Sequence, residues 1–347
     1  MNRKPLFLTL LISAAFVLLL AACTSKTTTT PVPETEEASS TDTAEPAASP
    51  ATPVTATAQG TEATTAQTAF PVTLSDALVR EVTLQAQPQR IVSLAPSNTE
   101  ILFAVGAGDQ VVGVTEFCNY PEEATSREQI GGFMPNTISV EKIVSLEPGL
   151  VFSAGEFQQP VIDALQAAGI AVFALDATTF EEVYANILSV GQLTGHEDEA
   201  LQAIAEMQDR VAAVQDRIAD VPDDQRPKVF WEVWDEPLMT AGPTTFTGQM
   251  IALAGGISIF ADVTEQYPQI SAEEVINRNP DVILGPDTHA EALTAEKIQE
   301  RPGWSAVRAV QDGRIFLIDG DVSSRPGPRL ADGLEDIAQA LYPDRFD

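Results

Sequence analysis

The sequence predicts an α/β protein of two Rossmann-like lobes joined by a single long helix, with a ligand cleft between the lobes. Three observations lead to this fold class. Short apolar strands alternate with helical patterns from about residue 90, one long helical pattern divides that series, and a short motif recurs in both halves. Alternating strands and helices are typical of a parallel sheet with helices packed on its faces.

The first half opens with an apolar run at Arg90 to Ala95, which predicts a buried strand that Pro96 ends. The next four residues, Ser97 to Glu100, match a capping box that starts a helix running to Gly106. The remaining elements of this half are predicted as strands at 111–114, 150–153 and 171–175, and helices at 141–145 and 159–168.

A long helix is predicted from about Glu197 to Val221. Its apolar residues are three or four positions apart throughout, at Leu201, Ile204, Met207, Val211, Val214, Ile218 and Val221. At 1.5 Å per residue this helix is about 37 Å long, comparable to the diameter of a small domain. We expect it to be a rigid spine that permits only modest motion of the lobes.

These patterns divide the body into an N-terminal lobe at 70–180, a helical linker at 181–225 that includes the spine helix, and a C-terminal lobe at 226–347. The C-terminal lobe continues the alternation. Its strands are predicted at 229–234, 282–285 and 315–318, and its helices at 249–254, 272–277, 295–299 and 330–341.

Residues 1–22 are typical of an export signal. They begin with basic residues, continue as an apolar run and end with small residues before the predicted cleavage site. Leu20-Ala21-Ala22-Cys23 also resembles the bacterial lipobox, which implies cleavage before Cys23 and lipid attachment to it. An ordinary signal peptide cut in this region is the alternative. We therefore expect an extracytoplasmic protein that is anchored to the cell membrane by lipidated Cys23.

Residues 23–69 are predicted to be a disordered tether behind the lipidated cysteine. They are rich in Thr, Ala, Pro, Glu and Ser and have hardly any aliphatic side chains. Such a stretch cannot bury enough apolar area to offset its chain entropy. The tether would hold the folded body away from the membrane surface.

The chain has a formal net charge of −31. The leader contributes +2 and the tether −5, so the body carries −28. This charge excludes nucleic acid and anionic membrane as partners of the body, leaving the lipid anchor as its membrane contact. If Cys23 is lipidated, the other cysteine, Cys118, has no disulfide partner within the chain, and we expect it to be a packed small side chain rather than a nucleophile.

Catalytic and cofactor motifs are not found. The two histidines, His196 and His289, have no Ser or Cys partner in a recognisable motif, and they are too few to suggest a transition-metal site. The sequence contains no HExxH, EF-hand, CxxC or Walker A pattern. We therefore predict a binding protein without cofactor or metal, and an enzyme is the weaker alternative.

A short motif recurs in both halves of the body. Each copy has a serine, a glutamate two residues later and a proline just before a predicted strand. The first copy contains Ser139, Glu141 and Pro148, and the second contains Ser271, Glu273 and Pro280. Each serine is a plausible helix N-cap, and each glutamate lies in the first helical turn, where the helix dipole favours an acid. Two matched acids could instead present their charges to a two-fold symmetric partner.

Residues 90–100, 111–114 and 119–124 resemble the helical-spine periplasmic binding proteins of ABC importers for vitamin B12, haem and iron siderophores, closest to the cobalamin-binding branch. The resemblance spans about residues 70–341. It implies a monomer that captures a bulky ligand without chemistry and delivers it to a permease dimer with an ATPase. In that family one glutamate from each lobe docks into arginine pockets of the permease. The matching residues are Glu141 and Glu273.

The resemblance also implies ligand contacts. Phe117 matches an aromatic position of the corrinoid cleft, Phe133 lies near another, and Asp321 matches a polar cleft residue. The chain departs from this pattern in the loop 154–157, which contains Phe157 where the cobalamin-binding branch has a tryptophan, and at Val322, which replaces another tryptophan. Trp231 and Trp234 should face opposite sides of a strand, so at most one reaches the cleft. The complete set of predicted ligand contacts is Ser97, Phe117, Phe133, Phe157, Trp234, Asp321 and Arg325.

The predicted ligand is a corrinoid similar to vitamin B12. A ferric siderophore or haem is the first alternative, and a non-transport sensor or adhesion module is the second. An anionic chelate would require basic residues in the cleft, and the candidates there include few besides Arg325 and Arg329. This scarcity of positive charge favours the corrinoid.

Overall fold

The computed structural model describes residues 69–287 and 293–346. These residues form two five-stranded sheets and a two-stranded N-terminal hairpin. The hairpin pairs β1 (Val72–Ser75) with β2 (Glu81–Leu84) in antiparallel orientation and was not predicted. Asp76 in its turn accepts a hydrogen bond from the backbone N–H of Ala174, which attaches the hairpin to the first sheet.

The N-terminal lobe contains a fully parallel sheet in the order β5-β4-β3-β6-β7. Its strands are β3 (Ile91–Ser93), β4 (Val111–Val114), β5 (Glu128–Gln129), β6 (Leu150–Ala154) and β7 (Val172–Leu175), and its helices are α1 (Pro96–Ala104), α2 (Val140–Ser145) and α3 (Gln159–Ala167). The strand order reverses between β3 and β6, so a crevice is expected beside their carboxyl ends.

The predicted capping box at the start of α1 is wrong. The helix begins at Pro96, and its N-cap is Ala95, whose side chain caps nothing. Proline suits the first helical position because its missing N–H would have had no partner there. Ser97 and Glu100 are consequently buried inside the helix, and the Glu100 carboxylate is available for other partners.

Two consecutive helices follow the first sheet, α4 (Phe180–Thr194) and α5 (Glu197–Ile218). The spine helix was predicted from Glu197 to Val221, and α5 confirms it as one continuous helix that ends slightly earlier. At 1.5 Å per residue its 22 residues extend about 33 Å.

The C-terminal lobe repeats the architecture of the first, with parallel strands in the order β10-β8-β11-β12 and β9 antiparallel to β8. Its strands are β8 (Lys228–Asp235), β9 (Leu238–Thr240), β10 (Ile257–Ser258), β11 (Val282–Pro286) and β12 (Ile315–Ile318). Its helices are α6 (Phe246–Leu253), α7 (Ala272–Arg278), α8 (Ala295–Gln299), α9 (Arg308–Gln311), α10 (Gly320–Ser324), α11 (Leu330–Leu341) and α12 (Pro343–Phe346).

The spine helix α5 packs against both lobes. It contacts α1 and α4 on one side and α6, α11 and α12 on the other. One apolar cluster runs from Leu150 in the first sheet through Met207 and Val214 of α5 to Leu284 in the second sheet. Because the lobes share this core, a large change in their relative orientation would expose apolar surface.

The repeated motif is present in the structure. Ser139 caps α2 and Ser271 caps α7, each accepting a hydrogen bond from a backbone N–H of the first turn. The likeness extends to the backbone after each helix. Glu147 and Asn279 both have positive φ, 47° and 46°, and each precedes a proline.

Within residues 69–287 and 293–346, no helix has both the length and the apolar character needed to cross a membrane. The predicted leader, the lipidation site at Cys23 and the tether lie outside the described residues, as does His289.

Candidate functional site

A cavity of about 810 Å³ lies at the carboxyl ends of the first sheet and is closed on one side by the C-terminal lobe. This volume is within the range typical of small-molecule sites. The segments that line it lie at the ends of β3, β4, β5, β6 and β7 in turn, and residues 324–326 at the end of α10 supply the opposite wall. The cavity therefore occupies the crevice that the strand order defines.

Aromatic side chains form much of the cavity wall. The rings of Phe133 and Phe157 stack with their centroids 5.4 Å apart, and Phe117 and Met134 add further apolar surface. Phe117 is 51% exposed and Phe157 is 48% exposed, so both rings can be covered by a ligand. Such a wall suits a bulky ligand with apolar faces, because covering these rings removes apolar surface from water.

Buried amides hold the loops of this wall in place. The side chain of Gln158 donates hydrogen bonds to the carbonyl oxygens of Leu94 and Phe133, and it accepts one from the N–H of Ala154. These contacts connect the loops that follow β3, β5 and β6. Asn98 adds a hydrogen bond to the carbonyl oxygen of Ser153 at 3.1 Å. The aromatic wall is thus positioned by satisfied buried polar groups.

One arginine of the C-terminal lobe faces the cavity. Arg325 donates to Glu100 at 3.0 Å, to the side-chain oxygen of Asn119 at 2.7 Å and to the carbonyl oxygen of Phe117 at 3.4 Å. It also pairs with Asp321 at 2.7 Å. Asn119 in turn donates to Asp321 at 2.9 Å, so these side chains connect the two lobes.

A second arginine completes the network. Arg329 donates to both carboxylate oxygens of Glu100, at 2.9 and 2.6 Å, and its guanidinium lies 4.2 Å from the ring centroid of Tyr120. Burial opposes the charge of Arg329, but the hydrogen bonds and the charge of Glu100 outweigh it and raise the pKa of the guanidinium. Both arginines therefore pair with the same carboxylate.

The predicted ligand contacts fall into three groups. Ser97, Phe117, Phe133, Phe157 and Arg325 line the cavity. Asp321 lies beside it and pairs with Arg325. Trp234 does not line the cavity, and its indole N–H donates to the carbonyl oxygen of Glu236. A ligand-binding role for these residues stays a prediction.

The two strand tryptophans differ in burial as alternation predicted. Trp231 is buried, and Trp234 is exposed near the carboxyl end of β8. The aromatic surface contributed by the C-terminal lobe therefore lies outside this cavity, and the described wall depends on phenylalanines of the N-terminal lobe.

Several residues of the site were missed by sequence reasoning. Glu100 was assigned to a helix cap, whereas Met134, Asp176 and Asn186 line the cavity without having been considered. Asn119 lies in one of the segments that carry the family resemblance, and that position was the available signal for it. No pattern along the chain indicates that Glu100 meets residues of the other lobe.

The matched acids Glu141 and Glu273 are exposed at the second position of α2 and α7. Glu274, and not Glu273, completes the capping box of α7, and it accepts from the N–H of Ser271 at 2.9 Å. Neither Glu141 nor Glu273 has a hydrogen bond or ion pair with another residue of the described ranges. Their carboxylates are accessible to a partner.

The other groups with possible reactivity take structural roles. Cys118 is buried and contacts the hydroxyls of Thr99 and Thr115, each at 3.1 Å, and burial raises the pKa of its thiol. The prediction that Cys118 is a packed small side chain is confirmed. Among the described residues, no group of three or more His, Cys, Asp or Glu side chains is arranged to hold a metal ion.

The architecture thus defines a two-lobed binding protein with an aromatic cavity at the lobe interface. Comparison with known proteins agrees with this class. The periplasmic binding protein family model matches residues 91–322, and the chain belongs to that family.

Three relatives illustrate the similarity. The chain is 37% identical over 282 residues to YvrC, an uncharacterized ABC transporter substrate-binding lipoprotein of Bacillus subtilis, covering 80% of this chain and 87% of YvrC. It is 35% identical over 279 residues to a cobalamin-binding protein of Halobacterium salinarum, covering 79% of this chain and 74% of that protein. The solved structure of the periplasmic haem-binding protein RhuT from Roseiflexus sp. RS-1 superposes with a TM-score of 0.66 at 30% identity, covering 75% of this chain and 99% of that one.

Proposed function

We propose that this protein is the substrate-binding component of an ABC importer and that it captures a corrinoid in the cavity between its lobes. The observation that carries the proposal is the cavity wall, whose described lining contains three phenylalanine rings and one arginine that is already paired with protein carboxylates. Binding would be non-covalent, with apolar area for affinity and a few polar groups for orientation.

A corrinoid suits this wall better than an anionic chelate. The corrin ring offers broad apolar faces, and its amide side chains can hydrogen-bond to uncharged groups such as Ser97 and Asn186. The lining also contains Glu156 and Asp176, so the described part of the wall has more acidic than basic residues. The cobalamin-binding relative of Halobacterium supports the same ligand class.

Haem is the second candidate ligand because of the structural similarity to RhuT. Haem iron in proteins is usually held by His, Cys, Met or Tyr. Met134 is the one such side chain in the described lining of the cavity. A haem bound here would have to use this thioether or a group outside the described lining, which makes haem the weaker candidate.

The test is calorimetric titration of the purified full chain in detergent with cyanocobalamin, haem and a ferric siderophore. We expect one-to-one binding of the corrinoid with a negative heat-capacity change, because apolar surface becomes buried. Phe157→Ala should weaken binding by about tenfold to hundredfold, since about 1.5–3 kcal/mol of apolar contact is lost.

The matched control is Phe346→Ala. This aromatic stacks with Arg217 near the C-terminus and does not line the cavity, so corrinoid affinity should stay within error. If haem or the siderophore gives a binding heat and the corrinoid gives none, the protein is still a ligand-binding protein, but its ligand is not a corrinoid. If Phe157→Ala and Phe346→Ala reduce corrinoid affinity equally, the corrinoid does not bind in this cavity.

We also propose delivery to a two-fold permease through Glu141 and Glu273, with the protein held at the outer side of the membrane by lipid on Cys23. The docking proposal is supported by the equivalent helix positions, exposure and available carboxylates of the two acids. Charge-assisted contacts with arginine suit such an interface. The lipid proposal is supported by the relative named a lipoprotein, and the mass of the mature N-terminus would decide it.

A further inference from the structure

The ionic network behind the cavity has a balanced charge. Glu100, Asp321, Arg325 and Arg329 contribute two negative and two positive charges in direct contact with one another. The side chain of Glu100 is only 2% exposed, and that of Arg325 is 15% exposed. Among the described residues that line the cavity, Arg325 is the only basic one.

Both terminal nitrogens of Arg325 have protein partners. One terminal nitrogen donates to Glu100 and Asn119, and the other contacts Asp321 and the carbonyl oxygen of Phe117. A ligand anion would have to displace one of these partners to pair with either terminal nitrogen of Arg325. The displaced carboxylate would then lie next to the ligand anion, so the net electrostatic gain would be small.

We infer that Glu100 and Asp321 are specificity-determining residues that hold Arg325 in a neutral network, so that the cavity accepts an uncharged, amide-bearing ligand and rejects anionic chelates. The inference rests on the proposed corrinoid function and explains how an arginine can lie in the cavity without attracting anions. It assigns Glu100 a role that is independent of direct ligand contact.

Asp321→Asn tests the inference because it removes one charge while its side-chain oxygen can still accept from Asn119. The full-length protein in detergent is titrated with haem, with a trianionic ferric tris-catecholate and with a neutral ferric trihydroxamate. We expect about a tenfold gain in affinity for the trianionic chelate at low salt, which should shrink at high salt. The affinity for the neutral chelate should change less.

Glu156→Gln is the matched control. It makes the same change in the charge of the cavity region, but no contact joins Glu156 to Arg325 in the described structure. Its gain in affinity for the anionic chelate should be smaller than that of Asp321→Asn. The double variant Asp321→Asn with Arg325→Gln should lose the gain, because the released cation is then absent.

Glu100→Gln is the second variant, since it removes the other carboxylate that holds Arg325. Equal gains from Asp321→Asn and Glu156→Gln would show that only the overall charge matters and would overturn the inference. So would the lack of a gain in both network variants, measured on folded protein. These outcomes are separate from the proposed function, which fails if the unaltered chain does not bind cyanocobalamin.

Discussion

At the scale of single residues, Glu232 shows how one charge can be placed inside this fold. It lies in β8 with a fully buried side chain, and Arg301 donates to both of its carboxylate oxygens at 2.6 Å. Arg301 also lies 4.8 Å from the ring centroid of Trp304. Burial raises the pKa of Glu232, and Arg301 opposes this shift only in part.

Arg301→Ala should therefore be strongly destabilising at pH 7. Removing one partner of a buried ion pair leaves an uncompensated charge and costs about 3–5 kcal/mol of unfolding free energy. Because the raised pKa makes the folded state hold its proton more tightly than the unfolded state, stability falls as pH rises above the usual glutamate range. The variant should accordingly regain part of its stability at pH 5, measured by urea unfolding with tryptophan fluorescence.

Arg308→Ala is the control for this measurement. Arg308 forms surface ion pairs with Asp281 and Asp312 and its side chain is 64% exposed, so its loss should cost at most about 1 kcal/mol. If Arg301→Ala costs no more than Arg308→Ala, the buried pair is not a major contributor to stability.

Single residues also show where prediction from sequence stops. The cavity residues Phe117 and Phe133 followed from the family resemblance because they lie close to recognisable motifs, whereas Phe157 lies in a loop where the chain departs from the family pattern. Glu100 did not, because its partners Arg325 and Arg329 lie 225 and 229 positions away in the chain. Its local sequence matched a helix cap, and a local pattern carries no information about such a distant contact.

At the scale of elements, the two short helices α2 and α7 are each followed by a residue whose backbone conformation most residues avoid. Glu147 has a φ of 47° and precedes Pro148, and Asn279 has a φ of 46° and precedes Pro280. Asparagine tolerates the left-handed region and here also accepts from the N–H of Arg308 at 2.8 Å, whereas glutamate has no such advantage. The two copies of the motif thus share the same turn geometry, although Asn279 suits that backbone conformation and Glu147 does not.

Glu147→Gly should increase stability by about 0.5–1 kcal/mol, because glycine adopts positive φ without the steric cost of a side chain. Thermal unfolding of the variant should show a higher Tm. Glu123→Gly, at an exposed position without positive φ, is the control and should not stabilise. A decrease in Tm for Glu147→Gly would mean that the glutamate side chain makes a favourable contribution that outweighs its backbone strain.

The elements differ in how well the sequence predicted them. The spine helix was predicted well because its apolar spacing continues over many turns. The hairpin of β1 and β2 was missed, and so was β5, because these strands lack the continuous apolar run that identified equally short buried strands such as β3 and β4. Strand order depends on contacts between distant segments, so the position of the crevice beside β3 and β6 followed from the structure.

At the scale of the whole molecule, the shared core and α5 restrict how far the lobes can separate. The spacing of Glu141 and Glu273 should therefore change little between the ligand-free and ligand-bound states. A two-fold permease could then recognise both acids in either state, and ligand release would depend on the permease and its ATPase.

Glu141→Lys combined with Glu273→Lys should reduce corrinoid uptake by about tenfold or more while leaving ligand affinity intact, because opposite charges at an interface are replaced by like charges. Uptake is measured with the cognate permease and ATPase in vesicles. Glu81→Lys with Glu300→Lys makes the same change in total charge at other exposed positions and is the control. Unchanged uptake in the first double variant would contradict the docking proposal.

Most of the cavity wall comes from separate loops, one after each strand of the first sheet, and this arrangement has an evolutionary consequence. A mutation in one loop alters one patch of the wall while leaving strand register and the spine unchanged. After gene duplication, copies of this scaffold can diverge in cargo through a few loop changes and still share one transporter. Specificity in such a lineage can change in small steps without passing through an unfolded intermediate.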